Sequence, residues 1–270
     1  MTLFQYIISK FTELAVDSPQ AEAKLVIEHL YGNDMLLPLE KADLRKFQSV
    51  YDRRKKREPI QYILGKAFFF NSEFTVTPAV LIPRPETEIM VEKLIDFLPR
   101  NGVMADIGCG SGCIGISVAL ERPDVRVYSF DISHAALQTA RLNAQNLNVS
   151  NIEFIESDLL ANCPADLQFD AVGANLPYVP YDDYYTAQSE VREYEPQLAL
   201  TADDNGLAII IRCIAELPHF MKKGGAAFFE IDPSQDVRLK EHLSIKGWQD
   251  AEIIKDYTGR SRFVKAVWQI

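Results

Sequence analysis

Apolar residues recur at helical spacing in the first part of this chain. Leu3, Ile7 and Phe11 lie four positions apart, which places them on one face of an amphipathic helix. A second helix is predicted to begin at Pro19, because proline is favoured in the first helical turn, and a third follows it. No alternating pattern interrupts these segments, so residues 1–58 are predicted to form a small helical domain.

The pattern then changes to two short aromatic stretches, 68–70 and 74–76, which predict a β-hairpin. The prolines within 82–85 prevent a helix until the amphipathic run 87–98 begins. Residues 59–86 are therefore predicted to be a linker that contains a hairpin.

Beyond residue 102 the chain alternates apolar strand-like runs with amphipathic helical runs. The predicted strands are 103–107, 125–130, 152–155, 169–174, 226–231 and 262–269, and the predicted helices are 112–121, 134–147 and 205–221. This alternation predicts an α/β domain over 87–270, with a mostly parallel sheet that helices cover on both faces.

The composition narrows the class of protein. Apolar residues make up 47% of the 270 residues, enough for a sizeable core, and 24% are charged, which argues against disorder. The chain has no long apolar run, no basic leader and only four cysteines, so we expect a cytoplasmic protein without membrane contact or disulfides. The cysteines and histidines lack the spacing of metal ligands, so no metal is expected.

The charge is divided unevenly along the chain. Residues 1–75 carry a net charge of +1 and residues 76–270 a net charge of −11, which argues against extended binding to nucleic acid. The basic run 53–57 leaves two interpretations open. It forms a solvated helix end that complements the helix dipole, or it contacts RNA or an acidic protein.

A glycine-rich loop follows the first predicted strand of the α/β domain. Gly108, Gly110 and Gly112 let the backbone approach a ligand closely. Their spacing differs from that of dinucleotide-binding loops, and no Gly-Lys pair follows, which excludes a phosphate-cradling loop. Cys109 and Ser111 lie between these glycines and share the predicted site.

Three acidic residues follow or end predicted strands. Asp131 can accept hydrogen bonds from two ribose hydroxyls, Asp158 can reach an adenine amino group, and Asp106 can meet a ligand ammonium group. Together with the glycine loop they resemble class I S-adenosylmethionine-dependent methyltransferases. An alternative is that these residues only end strands and cap helices. The resemblance implies a Rossmann-like sheet of seven strands and adds Ile132 and Leu159 to the cofactor site.

The segment Asn175, Leu176, Pro177 and Tyr178 ends the fourth predicted strand and resembles the Asn-Pro-Pro-Tyr motif of methyltransferases that act on planar amides or amines. An amide nitrogen is a weak nucleophile. The oxygen of the Asn175 side chain and a backbone carbonyl of the motif can bind its two N–H groups and orient it. The Tyr178 ring can pack against the acceptor. All four residues are predicted to bind the substrate, and Asn175, Pro177 and Tyr178 to take part in catalysis, with Asn175 also near the cofactor.

The linker segments 59–65 and 81–88 resemble those of HemK-type peptide chain release factor glutamine methyltransferases, as do 195–207 and 256–262. The resemblance implies that S-adenosyl-L-methionine methylates N5 of the glutamine in the Gly-Gly-Gln loop of release factors, which tunes translation termination. It implies that the N-terminal domain helps to recognise the release factor. Arg84 and Glu88 either line the cofactor site or pair with each other at i, i+4.

The chain departs from the family pattern in three places: Leu176 replaces a proline, 230–235 contains Pro233, and 201–204 replaces a Gly-Gly pair. Three other functions stay open: methylation of a ribosomal-protein glutamine, methylation of adenine N6, and a binding module without catalysis.

Overall fold

The computed structural model describes residues 1–245 and 247–269, which form two compact units. The first comprises Met1–Lys66 with Gln188–Tyr194, and the second Ala67–Ala187 with Glu195–Ile270. The predicted boundaries at 58 and 86 stay a prediction. The two units divide the chain at other places, after Lys66 and on either side of 188–194. Among the described residues, no helix is both long enough and apolar enough to cross a membrane.

The helices are α1 (Leu3–Glu13), α2 (Pro19–Leu30), α3 (Leu44–Arg54), α4 (Ile60–Leu64), α5 (Glu88–Phe97), α6 (Cys113–Glu121), α7 (His134–Asn146), α8 (Tyr181–Thr186), α9 (Ser189–Tyr194), α10 (Ala208–Glu216) and α11 (Asp236–Ile245). The strands are β1 (Lys66–Phe69), β2 (Ser72–Thr75), β3 (Val103–Ile107), β4 (Arg126–Asp131), β5 (Ile152–Glu156), β6 (Phe169–Ala174), β7 (Met221–Glu230), β8 (Trp248–Lys255) and β9 (Ser261–Trp268).

The helical pattern of the first unit is confirmed. Thr2 caps α1: its hydroxyl accepts the N–H of Gln5, and the Gln5 side chain accepts the N–H of Thr2. Leu3, Ile7 and Phe11 are fully buried on the inner face of the helix. Together with apolar residues of α2 and α3 they form the core of this unit.

The three arginines of the basic run 53–57 form ion pairs inside the first unit. Arg53 binds Glu58, whereas Arg54 binds Glu22 at 2.8 Å and Glu190 of α9 at 3.2 Å. Glu190 also binds Arg57 at 2.9 Å. These pairs favour the interpretation of the run as a helix end with internal partners, because its arginines are committed to carboxylates of the same unit.

The second unit contains a seven-stranded sheet in the order β5-β4-β3-β6-β7-β9-β8. Neighbouring strands are parallel from β5 to β7, and only β9 runs in the opposite direction. The predicted α/β sheet of seven strands is confirmed, and β1 and β2 form the separate hairpin that the aromatic pattern predicted.

Side chains of the central strands alternate between two cores, because successive residues of a strand point to opposite faces. Met104 and Val127 pack on one face together with residues of α5 and α6. Ala105 and Phe130 pack on the other face with α10. Helices thus cover both faces, as predicted.

The strand β8 and the helix α11 were absent from the pattern-based prediction. β8 is an edge strand with many exposed residues, and its register with β9 shifts between Gln249 and Glu252. This irregularity, at which Asp250 adopts a φ of +51°, interrupts the alternation by which a strand is recognised.

We expect Arg54→Leu to lower the free energy of unfolding by roughly 3 kcal/mol, because it leaves two carboxylates without their shared cation in a partly buried site. Urea unfolding followed by circular dichroism measures this change. Arg45→Leu is the matched control, since Arg45 is 91% exposed and its pair with Asp43 lies on the surface. Equal unfolding midpoints for the two variants would contradict the prediction.

Candidate active site

The order in which the strands are added to the sheet reverses at β3. The strands β4 and β5 lie on one side of β3, and β6 and β7 lie on the other. Loops at the carboxyl ends of these strands diverge there and leave a crevice, the usual ligand site of open α/β sheets. A cavity of about 440 Å³ occupies this position within the second unit. Its lining includes residues that follow β3, β4, β5 and β6.

The glycine loop turns sharply after β3. The N–H groups of Gly108 and Cys109 both donate to the carbonyl of Phe130, at 2.8 and 3.0 Å. A side chain at Gly110 would meet open space, which leaves the backbone there accessible to a ligand. At Gly112, by contrast, an added Cβ would lie 2.8 Å from Ile116, so this glycine serves the packing of α6.

Asp131 is held at the end of β4 by backbone donors. Its Oδ2 accepts the N–H of Gly110 and its Oδ1 the N–H of Ser133, both at 2.8 Å. Burial raises the pKa of Asp131, while these N–H groups oppose the rise. Each carboxylate oxygen can accept a further hydrogen bond, and Asp131 lines the cavity, so the carboxylate can accept two ligand hydroxyls.

The next strand contributes a more exposed edge of the cavity. Asp158 binds Arg212 of α10 at 2.9 Å, and both side chains are about half exposed. Leu159 and Ile132 add apolar surface to the lining of the same cavity. Apolar surface together with a carboxylate suits a planar base that carries an amino group.

Asp106 does not contribute to the cavity lining, and its predicted contact with a ligand ammonium group stays a prediction. It is fully buried, and its Oδ2 accepts the N–H of Gly115 at 2.9 Å. Burial, reinforced by the charge of Asp131, raises the pKa of Asp106 to about 7. Its direct contacts are with the protein, where it joins β3 to α6.

The acceptor segment leaves β6 along the same cavity. Asn175, Leu176 and Pro177 contribute to its lining. Leu176 is 3% exposed, and its Cδ2 would lie 3.0 Å from a Cβ placed at Gly108. The leucine that departs from the family pattern therefore packs against the glycine loop, a contact that restrains this part of the segment.

Tyr178 does not contribute to the lining of the cavity. Its hydroxyl donates to Oε1 of Glu230 at 3.1 Å, and its carbonyl accepts from Nε2 of Gln235 at 2.8 Å. Burial and the charge of Glu230 raise the pKa of the Tyr178 hydroxyl. Contact between its ring and an acceptor amide stays a prediction.

The turn that contains Pro233 is regular despite its departure from the family pattern. Asp232 caps it by accepting the N–H of Ser234 at 2.9 Å, and the Gln235 side chain accepts the N–H of Asp232 at 3.0 Å. Gln235 also donates to the carbonyl of Asn205 at 2.8 Å. The turn therefore holds Gln235 against the acceptor segment.

Gly206 lies beside this turn with a φ of +83°. A Cβ there would lie 1.8 Å from the carbonyl oxygen of Tyr178, so no other residue fits without moving the acceptor segment. The segment 201–204, which replaces a Gly-Gly pair, also contacts this region. Its Thr201 forms an isolated parallel β-bridge with Val179.

Arg84 and Glu88 separate in the structure. Arg84 lines the cavity and donates to Glu195 at 2.6 Å, whereas Glu88 accepts the backbone N–H of Phe70 at 3.0 Å and lies outside the lining. The side chain of Glu195 is only 2% exposed. The alternative that Arg84 and Glu88 pair with each other is thus replaced by two separate contacts.

Most of the predicted site residues lie together. Those that line the cavity are Arg84, Gly108, Cys109, Gly110, Ser111, Asp131, Ile132, Asp158, Leu159, Asn175, Leu176 and Pro177, and those outside the lining are Glu88, Asp106, Gly112 and Tyr178.

The sequence reasoning missed Thr87, Arg212 and Leu198 of the lining and the buried Glu195. Glu195 and Thr87 stand in the segments that carried the family resemblance, which was the available signal. Within the described ranges, no group of three or more His, Cys, Asp and Glu residues could hold a metal ion.

The cavity fits S-adenosylmethionine in size and in chemistry. About 440 Å³ lies in the range of small-molecule sites. Asp131 suits the ribose hydroxyls, and the open backbone at Gly110 allows close approach of the ligand. The apolar side chains of Ile132 and Leu159 in the lining suit the adenine base.

Comparisons with known proteins agree with this arrangement. Residues 85–193 match the model of the Methyltransferase small domain, and residues 2–65 match that of the PrmC N-terminal domain. Fold and site define an S-adenosylmethionine-dependent methyltransferase.

Relatives identify the family. The release factor glutamine methyltransferase of Chlorobaculum tepidum is 36% identical, over 99% of this chain and 96% of its own length. That of Neisseria gonorrhoeae is also 36% identical, over 90% and 92%. The chain belongs to the family of release factor glutamine methyltransferases.

Solved structures share the fold. A methyltransferase from Pyrococcus furiosus has a TM-score of 0.55 at 18% identity, over 85% of this chain and 100% of that chain. A ribosomal protein L11 methylase from Lactobacillus delbrueckii has a TM-score of 0.54 at 20% identity, over 72% and 84%.

We expect Asp131→Ala to weaken binding of S-adenosylmethionine at least about tenfold, because it removes charge-assisted hydrogen bonds worth roughly 1.5–3 kcal/mol each. Titration calorimetry measures the affinity. Asp124→Ala is the control, since Asp124 binds Arg122 on the surface and lies outside the lining. Unchanged affinity in Asp131→Ala would reject its role toward the ribose.

We expect Asp106→Asn to stabilise the protein at pH 8 and the difference to shrink toward pH 4. The folded state binds a proton on Asp106 up to pH of about 7, whereas the unfolded chain releases it near pH 4. Stability from this group is therefore present at low pH and is lost as the pH rises through this window, by an amount on the order of 4 kcal/mol.

Urea unfolding at pH 4.5, 6, 7 and 8 tests this expectation on the protein without ligand. Glu92→Gln, a change at an exposed residue of α5, is the control. Parallel stability curves for Asp106→Asn and the native chain would show that the folded protein ionises Asp106 normally.

Proposed function

We propose that this protein transfers a methyl group from S-adenosylmethionine to N5 of the glutamine in the Gly-Gly-Gln loop of peptide chain release factors. The modification would tune translation termination, which takes place in the cytoplasm. The names of the relatives support release factors as substrates, and the acceptor segment supports the choice of a glutamine amide.

One observation carries the proposal: the acceptor segment and the predicted cofactor residues share a cavity. Asn175 and Pro177 line the same space as Gly110 and Asp131. A methyl donor and an amide held by these residues would lie next to each other, and proximity of this kind lowers the barrier by positioning the reactants in advance.

Methyl transfer would leave a neutral thioether on the cofactor and a positive charge on the glutamine nitrogen, which would then release a proton to water. The reaction therefore demands little acid–base chemistry from the protein. When bound, S-adenosylmethionine supplies an electrophilic methyl group on a sulfonium. Asn175 can accept one N–H of the glutamine amide, and a backbone carbonyl of the segment can accept the other. The Tyr178 carbonyl already accepts from Gln235, and Leu176 and Pro177 line the cavity, so we assign this role to the carbonyl of Leu176 or Pro177.

The helical first unit is proposed to help recognise the release factor. Its segment 2–65 matches the PrmC N-terminal domain. Its arginines at 53, 54 and 57 are paired internally, so we expect its contacts with the substrate to come from other residues.

The test is incubation of the protein with labelled S-adenosylmethionine and a purified release factor, followed by mass spectrometry of the peptides. We expect a single methyl group on the glutamine of the Gly-Gly-Gln loop. Asn175→Ala should abolish turnover and keep cofactor affinity within about threefold, because its role lies on the acceptor side.

A release factor with that glutamine replaced by alanine is the matched substrate control. Label on a ribosomal protein or on nucleic acid instead would replace the proposed substrate. Cofactor binding without transfer to any of these would favour a binding module.

A further inference from the structure

A chain of hydrogen bonds connects the acceptor segment to a buried carboxylate. Nδ2 of Asn175 donates to Oγ1 of Thr87 at 3.3 Å, and the Thr87 hydroxyl donates to Oε2 of Glu230 at 2.6 Å. Thr87 lies in the short turn before α5, and Glu230 ends β7. Thr87 and Glu230 are 2% and 1% exposed.

We propose that Thr87 and Glu230 are positioning residues that fix the orientation of the Asn175 carboxamide, so that its oxygen faces the substrate nitrogen. The proposal rests on the proposed function, in which Asn175 binds the acceptor amide. It adds to that function a reason for the choice of nitrogen.

The direction of each hydrogen bond follows from the carboxylate. An ionised carboxylate only accepts, so the hydroxyl of Thr87 must donate to Glu230. A hydroxyl has a single hydrogen, so Thr87 can only accept from Asn175. The carboxamide must therefore present its NH2 group to Thr87, and its Oδ1 is directed away from Thr87.

The second oxygen of Glu230 is also satisfied. Oε1 accepts the Tyr178 hydroxyl at 3.1 Å, so the carboxylate binds both Tyr178 of the acceptor segment and Thr87, which contacts Asn175 of the same segment. Burial raises the pKa of Glu230 above its ordinary value, while the hydroxyls of Thr87 and Tyr178 and the charge of Arg262 oppose this rise.

This orientation matters because the two ends of a carboxamide are similar in size and opposite in hydrogen bonding. With Oδ1 toward the substrate, Asn175 accepts an N–H and selects the amide nitrogen. With the carboxamide reversed, its NH2 group would face the substrate and select the glutamine oxygen instead. The hydrogen bonds from Glu230 through Thr87 to Asn175 therefore decide whether the nitrogen or the oxygen of the glutamine is positioned to receive the methyl group.

Thr87→Val tests this role, since valine keeps the shape of threonine and removes its hydroxyl. We expect kcat on the release factor to fall about 10- to 100-fold, the range for a buried polar group that loses its partner. KM and the affinity for S-adenosylmethionine should stay within about threefold. Thr87→Ser should restore near-native kcat, because the hydroxyl returns.

Two further variants separate positioning from general damage. Thr139→Val is the matched control: Thr139 is also buried, and its hydroxyl donates within α7 to the carbonyl of Ala135. Glu230→Gln should lower kcat as well, and its effect should be smaller in the Thr87→Val background than in the native chain, since the part that acts through Asn175 is already lost there. Additive losses, or native kcat in Thr87→Val, would overturn the proposal.

Neutron diffraction of the deuterated protein tests the orientation without any substrate. Two deuterons on the Asn175 atom that faces Thr87 would support the proposal, and two on the opposite atom would overturn it. This result is independent of the methylation assay, so failure of the proposed function and failure of the positioning role can be told apart.

Discussion

The parallel pairing of β3 with β4 on one side and β6 on the other is the constraint on which the site depends. It aligns the carboxyl ends of the three strands, so the glycine loop, Asp131 and Asn175 leave the sheet at one edge. Backbone hydrogen bonds then complete the alignment, because the N–H groups of Gly108 and Cys109 donate to the carbonyl of Phe130 at the end of the neighbouring strand. The cofactor side and the acceptor side of the cavity thus share one rigid support.

Two buried carboxylates reinforce this edge in different ways. Asp106 lies behind the glycine loop and binds the first turn of α6 through Gly115, at the cost of a raised pKa. Glu230 binds the acceptor segment and accepts two hydroxyls, which offset part of its loss of hydration, although burial still raises its pKa. Neither carboxylate lines the cavity. Both stabilise the groups that do, and this separation leaves the cavity itself largely apolar with a few placed polar atoms.

Local packing and hydrogen bonds accommodate the departures from the family pattern at Leu176 and Pro233. Leu176 packs on the glycine loop and so replaces the stiffness of a proline with a buried contact. Pro233 takes a place early in a capped turn, where a missing N–H costs nothing. Gln235 keeps its two bonds to the Tyr178 and Asn205 carbonyls. The acceptor segment is held by these contacts from both sides, and the departures therefore do not argue against catalysis.

The sequence by itself determined the helical first segment, the strands from β3 to β7 with the helices α6, α7 and α10, and the grouping of the glycine loop with Asp131 and Asn175. These features depend on periodicity and on residues that are close in sequence or follow successive strands. Only the tertiary structure decided that the Tyr178 hydroxyl binds Glu230, that Glu88 binds the hairpin, and that α9 joins the first unit. It alone brought Thr87 to Glu230, a pair 143 positions apart. Periodicity shows which face of an element is buried, but hydrogen-bond partners depend on how elements distant in the chain pack together.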